Sequence, residues 1–198
     1  MIIAREKRKT NIAEYIIYMW EIEDLIRALN LDMDKIKHNI VDHYDQPEDT
    51  KFEIENWYKE LVSMMKAEGI ESGGHMQFLE DIIDKLNNLH KQILVNPKEE
   101  KYHEVYKHAL PNIIEFRKKI NNQDDHDIKI CFLGIYYLLQ LRLKNEKISK
   151  ETQEAFSTFS KLLAYLADYF KKEENARRWP NILLILLDLP FKNPYIWK

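Results

Sequence analysis

Seven histidines, one cysteine and a small excess of carboxylates over basic side chains are the raw material for chemistry in this 198-residue sequence. A di-metal carboxylate bundle needs two Glu-x-x-His units and two further carboxylates, because facing helices must converge oxygen and nitrogen ligands on the ions. Glu100-Lys101-Tyr102-His103 alone has that spacing. Without a second unit it reads as an ordinary stretch of a Glu-rich helix, and no metal or cofactor is called for. The histidines His38, His43, His75, His90, His103, His108 and His126 are scattered. Neither His38 with His43 nor His103 with His108 has the four-residue interval that points two imidazoles along one helix face. His90, next to the apolar positions Leu86 and Ile93, reads as a histidine at the core boundary. Cys131 lies among Ile130, Phe132 and Leu133, with Lys129 as its one basic neighbour, so no cause for a lowered thiol pKa is visible.

Glu14, Glu21, Asp24 and Arg27 form the remaining polar candidate. They sit in a segment otherwise so apolar that its charges must find solvent or partners. One reading gathers them around a polar pocket; the other makes them a narrow wet edge with Asp24 and Arg27 paired three residues apart.

Helices must position these groups. Four glycines and six prolines leave few of the turns that short strands require. Apolar residues at 45% and charged residues at 32% suit a water-soluble globule, and a formal charge of -3 argues against a general grip on nucleic acid or anionic lipid. One cysteine excludes an intramolecular disulfide and fits a cytoplasmic setting. Met1–Arg8 lacks the apolar stretch of a signal peptide. The most apolar stretch, Ile130–Leu139, is about half the roughly 20 residues of a membrane-crossing helix, so no transmembrane span is expected.

Apolar residues recur in a 3,4 alternation along the chain, the seam of a packed helix. After a basic leader, a first helix capped at Thr10 or Asn11 runs to about Leu29 on Ile12, Tyr15, Met19, Ile22, Ile26 and Leu29, and its apolar breadth marks it as central. A short helix follows over 34–41. Thr50 and Glu53 form a capping box for a helix on Ile54, Trp57, Leu61 and Met64, closed by Gly69. Leu79, Ile82, Leu86, Leu89 and Ile93 mark the next. Pro97 is expected to open a helix on Tyr102, Tyr106, Ala109, Ile113, Phe116 and Ile120, bent or broken at Pro111. Asp127 is placed as cap of the Ile130 helix, and Ser149 as cap of a last long helix on Phe156, Phe159, Leu163, Leu166 and Phe170. No repeated sequence unit is present, so the expectation is an all-α, up-down bundle of about six to seven helices without β-sheet over residues 1–175.

Residues 176–198 are set apart as an apolar tail or short helix. Trp179 and the run Ile182-Leu183-Leu184-Ile185-Leu186-Leu187 leave no polar face in any regular structure. The run either packs back on the bundle or contacts another subunit, a protein partner or a membrane surface; Trp179, Ile182, Leu183, Ile185 and Leu186 are its candidate contact residues.

The run Asn11-Ile12-Ala13-Glu14-Tyr15-Ile16-Ile17-Tyr18-Met19-Trp20-Glu21-Ile22-Glu23-Asp24-Leu25-Ile26-Arg27, together with Leu163–Glu173, resembles an uncharacterised all-helical bacterial family known only as a domain of unknown function. The resemblance spans about residues 1–175 and leaves out the tail. It implies a helical cytoplasmic protein and carries no activity, substrate or catalytic residue. Two functional classes therefore stand open from sequence: a non-catalytic helical module for protein interaction or self-association, which is favoured, and a metal- or acid/base-dependent enzyme with a His/carboxylate site inside the bundle.

Overall fold

The computed structural model describes the backbone of residues 2–187 and the side chains of residues 2–176. Within these limits the chain forms eight α-helices and no strand: α1 (Ile2–Thr10), α2 (Ile12–Ala28), α3 (Met33–Asn39), α4 (Glu48–Ala67), α5 (Gln77–Leu94), α6 (Glu100–Lys119), α7 (Asp127–Leu143) and α8 (Lys150–Leu187), with a 3-10 turn at Val41–His43. The protein is an all-α bundle, as its periodicity predicts. The additional helix is the basic leader, which folds as α1 and inserts the small side chain of Ala4 into the core.

Helix boundaries follow local hydrogen-bond chemistry. The Asn11 side chain accepts from the Ala13 and Glu14 amides at 3.0 and 3.3 Å, so it starts α2 by satisfying two orphan donors. Gly69 takes a left-handed φ of 67°, which lets the Ile70 amide reach back to the Met65 carbonyl and close α4. Ser149 caps α8 through the Thr152 amide at 3.2 Å.

Four expectations change. α4 begins at Glu48, ahead of the proposed capping box, because Pro47 delivers an extended backbone and Glu48 and Asp49 supply the negative charge a helix start favours. α6 begins at Glu100; Pro97 lies instead in a turn held by the Asn96 side chain on the Lys98 amide. α6 then continues through Pro111 without a break, with that ring on the exposed side. The cap of α7 is His126, whose Nδ1 accepts the Lys129 amide at 3.1 Å, leaving Asp127 for another task.

The centre of the bundle is α8, which packs on α2, α5, α6 and α7; α2, expected there, lies against α1, α7 and α8. At about 1.5 Å per residue α8 is roughly 57 Å long, enough to span a small domain. Its Phe156 and Phe159 join Phe116 of α6 and Tyr137 of α7 in an aromatic cluster with ring centroids 5.2 to 6.5 Å apart. No helix among the described residues is long and apolar enough to cross a membrane.

Gly134 lets α7 and α8 pack closely, since a Cβ there would lie 2.7 Å from the Phe159 ring, itself wedged against Phe116 and Phe156. Alanine would gain up to about 1 kcal/mol of helix propensity. The clash of overpacking, about 1–3 kcal/mol, is the larger effect. Gly134→Ala is therefore expected to destabilise the protein by about 1–2 kcal/mol in urea unfolding, and a stabilised variant would show that the ring can move aside.

Candidate functional site

The four polar candidates of α2 divide between two places. Glu14 and Glu21 are two helical turns apart on one face and line a shallow groove of about 330 Å³ between α2 and α8, closed by Lys7 of α1 and Ile135 of α7. Glu14 is paired with Lys7 at 3.2 Å. Glu21 is half-buried, and burial raises its pKa, with Lys7 opposing. The neighbouring Tyr18 phenol is pushed up to about 12, by burial first and by the nearby Tyr44 and Glu21 second.

Asp24 and Arg27 belong to a different cluster, built where the α4–α5 connection docks on α2. Arg27 pairs with Asp24 at 2.9 Å and donates to the carbonyls of Ile70 and Gly74. The centre of this cluster is Glu23, fully buried, whose carboxylate accepts the Met76 amide at 2.8 Å and faces His75 Nδ1 at 2.6 Å. The His75 ring stacks on Trp20 with centroids 4.0 Å apart, and Tyr136 from α7 meets Trp20 edge-on while its hydroxyl donates to Asp24. Trp20 Nε1 is buried without a hydrogen-bond partner among the described residues. Glu23 is not among the polar candidates of the sequence, yet it stands in register with Ile16, Met19, Trp20 and Ile26, which makes it a carboxylate at a core position.

A second buried polar cluster lies between α5, α6 and α7. His90 Nδ1 is 2.7 Å from the Tyr102 hydroxyl, and the His90 ring meets Tyr106 edge-on at 4.7 Å. The Tyr106 hydroxyl donates to Asp127 at 2.6 Å, and Arg117 holds the other Asp127 oxygen at 2.8 Å. Asp127 thus anchors α6 to α7 instead of capping a helix. Burial pushes the Tyr106 phenol up, with the Asp127 hydrogen bond adding to it. Cys131 is a buried free thiol whose pKa burial raises well above its ordinary value, which leaves it the opposite of an activated nucleophile.

The remaining histidines stay apart. His38 and His43 are exposed, His103 points Nε2 at the Ile93 carbonyl 3.4 Å away, and His126 caps α7 and meets Asp84 at 3.2 Å. His108 lines a polar groove of about 640 Å³ between α6 and α8 with Glu104, Glu151, Glu154 and Lys161. Among the described residues no three His, Cys, Asp or Glu side chains are grouped so as to hold a metal ion.

An apolar depression lies at the start of α8. Phe116 of α6, Ile120 just beyond its end, Tyr137 and Leu141 of α7 and Phe156 of α8 line a groove of about 600 Å³ with a polar rim. Tyr137 and Ile120 are 49% and 37% exposed, so water meets apolar surface there. The side chains of Trp179, Ile182, Leu183, Ile185 and Leu186 lie outside the described residues.

Fold and sites define an all-helical bundle whose buried polar groups tie helices together. The chain belongs to the family described as a domain of unknown function, DUF4924, whose model matches residues 1–177. No curated protein and no solved structure matches the chain.

His90 makes the pH dependence of stability readable. Burial lowers its pKa from the ordinary 6.5 to about 4. The unfolded chain therefore takes up a proton that the folded chain refuses, so stability present above pH 6.5 is lost as pH falls from there towards 4. The expected loss is of order 2–3 kcal/mol. Urea midpoints of the wild type should fall more steeply over this interval than those of His90→Gln, and parallel profiles would contradict the assignment.

Proposed function

We propose that the protein is a non-catalytic helical interaction module that associates with a second copy of itself. The observation that carries this reading is the partly exposed apolar groove of Phe116, Ile120, Tyr137, Leu141 and Phe156, which a single chain leaves in contact with water. The occupant we assign to it is the apolar run Ile182–Leu187 of the second copy.

Geometry supports this choice of occupant. α8 is helical without interruption to Leu187, so Ile182 lies 23 residues beyond the groove-lining Phe159, or about 35 Å along the axis. The chain's own run is carried away from the groove by the helix that bears it. Two copies with antiparallel α8 helices would each offer a run to the other's groove, a self-complementary contact that closes as a two-fold dimer and stops there. Amphipathic or apolar helical segments seated in grooves are a common recognition mode.

An enzymatic role has less support. His90 and Cys131 are buried, and their polar neighbours are engaged in joining helices. A cytoplasmic location and the absence of a nucleic-acid partner belong to the same reading, supported by the single free thiol and the net charge of -3.

Sedimentation or light scattering at micromolar concentration tests it. The full chain should have twice its monomer mass, whereas a chain ending at Trp179 and the rim variant Tyr137→Glu should both be folded monomers. A monomeric full chain, or a shortened chain that remains dimeric, would overturn the reading.

A further inference from the structure

The groove between α2 and α8 shares no lining residue with the one assigned to self-association, and its chemistry is specific. It contains one carboxylate without an ion pair among the described residues: Glu21, half-buried, while the Lys7 ammonium that acts on it through space is committed to Glu14 at 3.2 Å. Taking a carboxylate partly out of water without a partner is unfavourable, and burial raises the Glu21 pKa for that reason. A cation delivered from solution would recover the lost interaction.

The surroundings narrow the choice of cation. Ile17, Ile135 and Leu163 give the groove that Glu21 lines an apolar wall, and the small side chains of Ala13 and Ala164 line the same groove. The volume of about 330 Å³ lies near the lower end for small-molecule sites, which limits the ligand to a compact body. Among the lining residues one positive side chain, Lys7, faces two negative ones, Glu14 and Glu21, so an anion would meet repulsion. A bare metal ion would find too few converging oxygens. From this placement we infer that the groove binds a small organic cation, with a primary ammonium on Glu21 and a short apolar chain along Ile17, Ile135 and Leu163.

Titration of the full-length protein with n-butylammonium, followed by calorimetry and by amide chemical shifts, tests the assignment, with n-butanol as the uncharged control. The expected result is saturable one-to-one binding of the ammonium, shifts centred on Ile17, Tyr18 and Ile135, and no saturable binding of the alcohol. Glu21→Gln should weaken the affinity about tenfold or more, the loss expected for a charge-assisted contact. Ala164→Phe, at an exposed position on the groove wall, should abolish binding by filling the space while leaving Glu21 intact. Absence of saturable binding to the wild type, equal affinity in both variants, or shifts centred elsewhere would each overturn it.

Discussion

The burial of the Glu23 carboxylate is the constraint from which the arrangement of the N-terminal half follows. A charge taken fully out of water must be paired and hydrogen-bonded, and removing a partner of a buried pair costs about 3–5 kcal/mol. α2 cannot supply those partners, because its own amides are spent within the helix. They come from the α4–α5 connection, through the Met76 amide and His75, and the connection is held in place by Arg27 on the carbonyls of Ile70 and Gly74. Satisfying one side chain therefore fixes a loop, and the loop fixes where α5 starts. From that start α5 lies against α7 and α8, so the polar contact at one end and the apolar core along the helices define the same geometry.

α8 plays the complementary part. It has a buried face of Phe156, Phe159, Leu162, Leu163 and Leu166 shared among four other helices, and the aromatic cluster around Phe159 joins α6 to α7 through it. The interior is consumed by packing and by the two polar clusters. Among the described residues, grooves that flank α8 at the surface offer apolar and charged lining to other molecules.

The apolar periodicity made the fold legible because water exclusion acts on a spacing that can be counted. Leu79, Leu86, Leu89 and Ile93 of α5, and Phe156, Phe159, Leu163 and Leu166 of α8, are buried as their intervals require. The caps at Asn11 and Ser149 and the left-handed Gly69 were equally visible, each being a matter of two to five neighbouring residues. Long-range choices were not. Asp127 could serve as a cap or as an anchor, and only the arrival of Tyr106 and Arg117 from α6 decides between them. Glu14, Glu21, Asp24 and Arg27 looked like one set, but Glu14 and Glu21 stay on one face, while Arg27, six residues further on, reaches a loop more than 40 residues away in sequence and Asp24 meets Tyr136 of α7. Glu23 was the legible clue left unread, since a carboxylate at a core position requires partners that sequence spacing alone does not reveal.

Hydrogen exchange at the Met76 amide is the most direct measurement of the Glu23 claim. In Glu23→Leu an apolar side chain of similar size takes the buried position but cannot accept that amide, so the α4–α5 connection should open independently of the core. The Met76 amide is expected to exchange about ten- to a hundredfold faster than in the wild type, while the amides of Leu162 and Leu166 in α8 stay protected. A Met76 amide that exchanges at the wild-type rate in this variant would show that the loop is held without Glu23.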